Sequence, residues 1–286
     1  MIVSVSLLTS LALVPVHAQP RAQSRADAGA ITLRLRPRVG DTLHTRLEQQ
    51  TDVSLEPRAD ATASTKGGAP RSVTTSVLVD SRTIVLAQLP ASVLVMTIVD
   101  SAALRTSDAH GAAQVKQAEG TLRGQQLVLQ LAGDGTVESA RDVRGGVVSH
   151  DMAAAMSSMP AVFPKQAVHV GEKWTRVLPL PPGGPLGARG SGHVDAVFRL
   201  DSLDRAGTMA FLSVSGDIRA DSSGAGVQMS GNVSGAMQID RARGWMTDSR
   251  FNVMLRSLIT PPANTGLQPM QFITRVTQRL RTMDKR

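Results

Sequence analysis

Val170-Gly171-Glu172-Lys173-Trp174 opens a run of alternating strands, and the same pattern stands about 130 residues earlier as Val39-Gly40-Asp41-Thr42-Leu43. Each copy then reaches a glycine turn in a matching context. In the first it is Leu129-Gln130-Leu131-Ala132-Gly133-Asp134-Gly135-Thr136-Val137, and in the second Met237-Gln238-Ile239-Asp240-Arg241-Ala242-Arg243-Gly244-Trp245. A supersecondary plan used twice means that each copy solves the same burial problem. It speaks about architecture and leaves the chemistry open.

Around these landmarks the apolar residues recur at every second position, the period of a strand with one buried face. Ile31, Leu33 and Leu35 alternate with Thr32, Arg34 and Arg36, and Leu127, Leu129 and Leu131 repeat the pattern. Val227, Met229, Gly231, Val233, Gly235, Met237 and Ile239 hold one face of a long strand whose small residues predict a bend or a close neighbour. Phe251, Val253 and Leu255 continue from Trp245, while Phe272, Thr274, Val276 and Leu280 follow Met270 with Arg275, Arg279 and Arg281 on the other side. Val93–Val99 is apolar almost throughout, which predicts cover on both faces. Helical spacing is clear in one place: Val148, Met152, Ala155, Met156 and Met159 recur at threes and fours, Ser149 or Asp151 can cap the start, and Pro160 ends it. The expected fold is mainly β. Curved antiparallel sheets come from two similar halves, closed into one barrel-like wrap or standing as tandem lobes, with one helix around 148–159 over a concave face. The expected layout is a linker at 19–30, a first copy at 31–145 with a long loop at 56–72, a connecting helix at 146–163, and a second copy at 164–286 with a Pro/Gly loop at 179–191.

Residues 1–18 read as a signal peptide. The uncharged run is shorter than the roughly 20 residues of a membrane span. Pro15 breaks it, and Val16-His17-Ala18 places compact residues at −3 and −1 of a cut after Ala18, although no Lys or Arg precedes the run. The expected location is periplasmic or secreted, with no transmembrane segment once the signal is removed. With no cysteine, disulfides, thiol chemistry and cysteine-ligated metals are excluded, as is a lipid anchor on a post-signal Cys. The formal charge is +8, unevenly spread: residues 19–145 carry 15 basic against 13 acidic side chains, and residues 146–286 carry 16 against 10. The excess concentrates in Arg275, Arg279, Arg281, Lys285 and Arg286. It suits either attraction to an anionic surface such as lipid headgroups or a charged edge strand that discourages aggregation. Basic residues do not alternate with aromatic platforms, so nucleic acid is not expected as a partner.

No Gly-x-Ser-x-Gly elbow and no His-Glu-x-x-His pair is present. His44, His110, His150, His169 and His193 are scattered singly, and His169, His193 and Asp195 form the one trio that convergence in space would make interesting. Asp195, Asp201, Asp204, Asp217 and Asp221 read as a solvated face, Asp134-x-Thr136-x-Glu138 as a hairpin turn and Asn232-Val233-Ser234 as a chance sequon. No enzyme, metal or cofactor is expected. Trp174 and Trp245 each follow the glycine of their copy and read as core anchors of their own lobes. Together with Met152, Met156, Met159, Met229 and Met237, and with Met254 on a neighbouring strand, they also form a possible adaptable lining for an apolar guest.

The segment Met159-Pro160, Phe163-Pro164, Val168 and Val170-Gly171-Glu172-Lys173-Trp174 resembles an element of exported bacterial proteins of unknown function. In these a proline-rich entry leads to Val-x-x-Gly-acid-x-Trp and then to strands. The resemblance covers the second half, and Leu43 replaces Trp in the first copy. At fold level the plan is also similar to envelope lipoprotein-carrier folds, in which a curved antiparallel sheet encloses an apolar cavity. Two readings follow from the residues: a non-enzymatic envelope protein whose two β copies form an interaction or scaffolding module, or a carrier or sensor of an apolar, lipid-like ligand within the curved sheet.

Overall fold

The computed structural model describes residues 29–57, 72–143, 162–180, 192–220, 227–260 and 269–283. The expected signal peptide, the helix around 148–159 and most of both expected loops lie outside the described residues. The strands are β1 (Thr42–Pro57), β2 (Ser72–Gln88), β3 (Ser92–Thr106), β4 (Gln126–Ala132), β5 (Val137–Asp142), β6 (Lys173–Pro179), β7 (Gly192–Leu203), β8 (Met209–Ala220), β9 (Val227–Asp240), β10 (Trp245–Ile259) and β11 (Met270–Thr282), and the helix α1 is Ala112–Leu122. They form one 11-stranded antiparallel sheet in the order β5-β4-β3-β2-β1-β11-β10-β9-β8-β7-β6. Two meanders, β1–β5 and β6–β11, are zipped together where β1 pairs with β11 from Thr45↔Thr282 to Pro57↔Met270. The sheet is curved and unclosed, with β5 and β6 at its edges.

The two copies begin with the same turn. Gly40 at φ 87° donates its N–H to the Val85 carbonyl at 2.9 Å, and Val85 returns a bond to the Asp41 carbonyl at 2.9 Å. Gly171 at φ 90° donates to the Leu200 carbonyl at 2.6 Å, and Leu200 returns a bond to the Glu172 carbonyl at 3.1 Å. In each case the acid takes the N–H three residues back: Arg38 to Asp41 Oδ2 at 2.9 Å and His169 to Glu172 Oε2 at 2.7 Å. A type II turn needs positive φ at its third residue, which explains the glycine. The side-chain acceptor explains the acid. Val39 and Val170 are exposed, so the valine anchors nothing.

The main core fills the inner face of the second copy. Phe198 and Leu200 of β7, Ala210 and Leu212 of β8, and Met237 and Ile239 of β9 are at most 1% exposed. Phe251 and Leu255 of β10 join them. On β9, a Cβ at Gly231 would run into the Met254 carbonyl and stand 3.1 Å from Leu255 Cα, so the small residue lets β9 press against β10. The inner face of the first copy carries two smaller clusters, one around Val85, Val93, Val95, Leu127 and Leu129 and one around Val77, Val79, Ala102 and Leu104. On the outer side of Val93–Val99, Leu94 and Met96 are partly open to solvent while Ile98 is buried.

Residues 31–38 alternate as expected yet are not a strand. They form a strap across the end of the sheet that carries the short turns. Ile31 exchanges backbone bonds with Val168 at 2.8 and 2.9 Å, Leu35 donates to Gly133 at 2.9 Å, and Arg36 donates to Arg243 at 2.7 Å. The strap thus binds the entry of the second copy and the equivalent glycine turns of both copies, while Leu33, 1% exposed, plugs the core. Gly244 permits this, since at φ 68° a Cβ there would overlap the Arg34 carbonyl and lie 2.8 Å from Leu35 Cα.

The described helix, α1, lies outside the segment whose spacing predicts one. Only Val115, Ala118 and Leu122 pack inward, and no side chain caps Gly111. Its position is set by an unpaired edge: β4 stops opposite Ile98, leaving the outer part of β3 without a neighbour. Glu119 Oε2 accepts the Leu104 N–H at 3.0 Å, and Arg123 Nη2 donates to the Ala102 carbonyl at 3.3 Å. One side chain of the helix and one from its C-terminal cap therefore stand in for a missing strand.

Trp245 corrects the expectation that each tryptophan anchors its own lobe. It belongs to the second copy but packs with Val85, Val93, Val95, Leu127 and Leu129 of the first, because its turn leans over the sheet end beneath the strap. Trp245→Ala should cost about 3–5 kcal/mol and raise amide exchange at Val93 and Val95, far away in sequence; unchanged exchange there would refute the cross-copy role. Gly244→Ala should lower stability by about 2–4 kcal/mol, since steric overlap adds to left-handed strain. Gly40→Ala, where space is open, should cost only about 1–2 kcal/mol. Urea unfolding of the three proteins measures the difference.

Candidate interaction face

The strands that join the copies place their even-numbered β1 residues outward. Successive rows across β2, β1, β11 and β10 read Asp80, Arg46, Arg281, Asp248, then Leu78, Glu48, Arg279, Arg250, then Ser76, Gln50, Thr277, Asn252. Arg46 and Arg281 stand directly opposite, which by itself is repulsive. Each is neutralised by a carboxylate. Arg46 makes a bidentate pair with Asp80 at 2.7 and 3.0 Å, Arg281 reaches Glu48, and Arg279 binds Asp248 at 2.9 Å. Arg82 and Asp100 extend the array onto β3 at 3.4 Å. The hydrogen bonds from Arg46 hold the Asp80 carboxyl below its ordinary range against the opposing pull of burial, with help from the Ser101 hydroxyl. The same bond raises Arg46 further. Half-exposed pairs of this kind contribute about 0–1 kcal/mol each, so the array organises the surface more than it stabilises the fold. It also differs from the outward belt of a membrane barrel, which is apolar.

At the centre of this face lies a depression of about 520 Å³. Small side chains (Ser76, Ala103 and Thr277) floor it, and Glu48, Arg105 and Arg279 rise around it. Arg105 on β3, Arg275 on β11 and Arg256 on β10 are exposed and carry no ion pair among the described residues. Asp52, opposite Arg275, is instead held by Gln50 at 3.0 Å and Thr74 at 2.6 Å. The reading of the C-terminal arginines as edge protection is corrected by the topology: β11 lies between β1 and β10, in the middle of the sheet. Their spacing was visible in the sequence, but their carboxylate partners were not, because Glu48 and Asp248 come from other strands.

The residues considered as an apolar lining separate into three groups. Met152, Met156 and Met159 lie outside the described residues. Met229 and Met237 are buried in the main core, and Trp245 in the first-copy cluster. Trp174 stacks on Phe198 with ring centres 5.8 Å apart, and its Nε1 donates to the Val162 carbonyl at 3.0 Å. Met254 faces the opposite side from Phe251 and Leu255, opposite Arg275.

The trio that would revive catalysis does not assemble. His193 Nε2 lies 3.6 Å from Asp195 Oδ1 on the outward side of β7, with His193 opposite Arg219 and Asp195 opposite Asp217. His169 precedes the other end of β6, a strand of 7 residues, so the two histidines stand at least about 20 Å apart. Asp204 caps the β7–β8 turn, its carboxyl pulled below the ordinary range by the Met209 N–H and the Thr208 hydroxyl. Asp134 serves its hairpin by accepting from Thr136 N–H at 3.1 Å. Among the described residues no three His, Asp or Glu side chains are grouped so as to hold a metal, and no helix is long and apolar enough to cross a membrane.

No curated protein matches the chain significantly. Among solved structures, a protein from the dynemicin biosynthesis pathway of Micromonospora chersina aligns at 8% identity over 97% of this chain and 98% of its own, with a TM-score of 0.23. An outer membrane channel from Pseudomonas putida F1 aligns at 9% identity over 87% of this chain and 97% of its own, with a TM-score of 0.25. Neither score denotes a shared fold. Residues 141–246 match the model of a family of unknown function, DUF6263, a span that begins at the end of β5 and takes in the Val170–Trp174 element, β6 to β9 and the second glycine turn.

Proposed function

We propose that this chain is a non-enzymatic exported protein of the cell envelope, an interaction module in which the curved sheet is the scaffold and the arginine-bearing outer face is the working surface. The observation that carries the reading is the outward array across β3, β2, β1, β11 and β10. Its carboxylates are engaged internally, while Arg105, Arg256 and Arg275 remain exposed. A face that carries more guanidinium groups than carboxylates attracts anionic partners from solution. The concave side of the second copy is occupied by the strap and by Phe198, Leu212 and Met237, which favours a scaffold over carriage of an apolar guest. Export rests on the Val16-His17-Ala18 site.

Expression of the full chain in a diderm bacterium, followed by fractionation, tests this. The mature protein should begin at Gln19, sediment with the envelope at low ionic strength, and be released at about 1 M salt, where the Debye length falls to roughly 3 Å. A protein that keeps residues 1–18 in the cytosol, or that never associates with the envelope, would refute the proposal.

A further inference from the structure

The outer face divides into two zones. Toward the loop-bearing end lie the exposed arginines, and between them the depression floored by Ser76, Ala103 and Thr277. Arg105 and Arg256 are separated by four strand spacings, roughly 20 Å, so no single small anion spans them. Toward the strap end of the same face, β2 and β3 present an apolar strip. Leu86 is 40% exposed, and Ile84, Met96 and Val128 beside it are half-buried with no covering element among the described residues. Leu78, 37% exposed, stands apart from the strip at the edge of the depression, with the ion-paired Asp80 and Arg82 between them. Outward arginines and outward aliphatic side chains on one sheet face make an amphipathic surface of large extent.

Building on the envelope-module reading, we propose that this face docks on the surface of an anionic phospholipid bilayer. Arg105, Arg256 and Arg275 would meet lipid phosphates, the Ser76 hydroxyl would donate to a phosphate seated in the depression, and Leu86 would enter the acyl boundary. Charge complementarity selects an anionic partner, and the strip selects lipid over an acidic polypeptide, which would satisfy the guanidinium groups and leave Leu86 in water. A bilayer supplies many phosphates spread laterally, matching arginines too far apart for one ligand. Juxtamembrane basic residues contribute about 1 kcal/mol each to such binding.

Co-sedimentation of the purified full chain with vesicles of phosphatidylcholine, or of equimolar phosphatidylcholine and phosphatidylglycerol, tests the proposal. Binding to the anionic vesicles should be at least tenfold tighter. The triple variant Arg105→Gln, Arg256→Gln, Arg275→Gln should weaken it on the order of a hundredfold, with the far-ultraviolet dichroism of the β-sheet unchanged. A control with the same charge change, Arg36→Gln, Arg38→Gln, Arg205→Gln at the strap end, should bind nearly as wild type, and Leu86→Asp should weaken binding severalfold. Equal binding to both vesicle types, or equal loss in the two triple variants, overturns the proposal. Tight binding to an acidic peptide that Leu86→Asp leaves intact would overturn it in favour of a protein partner. Salt-releasable envelope association without vesicle binding would leave the envelope-module reading standing and remove only the lipid.

Discussion

The pairing of β1 with β11 is the constraint on which the rest depends. Without it the chain is two separate meanders, each with two open edges. With it there is one sheet, and the first and last described strands become its centre. The row Asp80, Arg46, Arg281, Asp248 exists only because this ladder sets Arg46 against Arg281. The inner face follows from the same register, since Thr51↔Val276 and Leu47↔Leu280 direct their side chains toward the core while their neighbours carry charge outward.

The strap is the second fastening. It works at one end of the sheet, through backbone bonds to Val168, Gly133 and Arg243. Because those acceptors and donors come from both copies, the strap holds the curvature that brings the two edges toward each other at that end. Phe163 N–H reaches the Asp134 carbonyl there at 3.2 Å, linking the segment before β6 to the turn before β5. The chain holds two similar meanders, and the seam and the strap make them one object.

Much of this was legible in the residues. The alternation at 227–239, 251–255 and 270–280 fixed strand identity and facing, because a half-buried strand has a period of two and these segments keep it. The Val-Gly-acid echo foretold two equivalent turns, since type II geometry and its side-chain acceptor both demand particular residues. What was not legible is non-local. Nothing in Arg275, Arg279 or Arg281 says that their strand lies beside residues 45–57, so an edge was as natural a reading as a centre. Trp245 follows its glycine as Trp174 does, but its burial site is chosen by a turn leaning under a segment about 200 residues away. Helix α1 shows three inward side chains and a glycine at 120; it forms because β3 has an edge to satisfy, and no local pattern encodes that need. The outward arginines were recognised as a charge excess, yet their carboxylate partners became visible only with the register.

The central seam also sets a schedule for folding. The Arg281–Glu48 bond closes a separation of 233 residues, so the sheet has high contact order and its decisive ladder cannot form until nearly the whole chain is present. In a chain delivered from its N-terminus, β1 would wait with one ladder of N–H and C=O groups unpaired while β2 to β10 emerge. That interval is a window for misassembly. The charges at Arg46, Glu48 and Asp52 keep the waiting strand soluble, so the residues that later form the outer face first serve to guard the unfinished one.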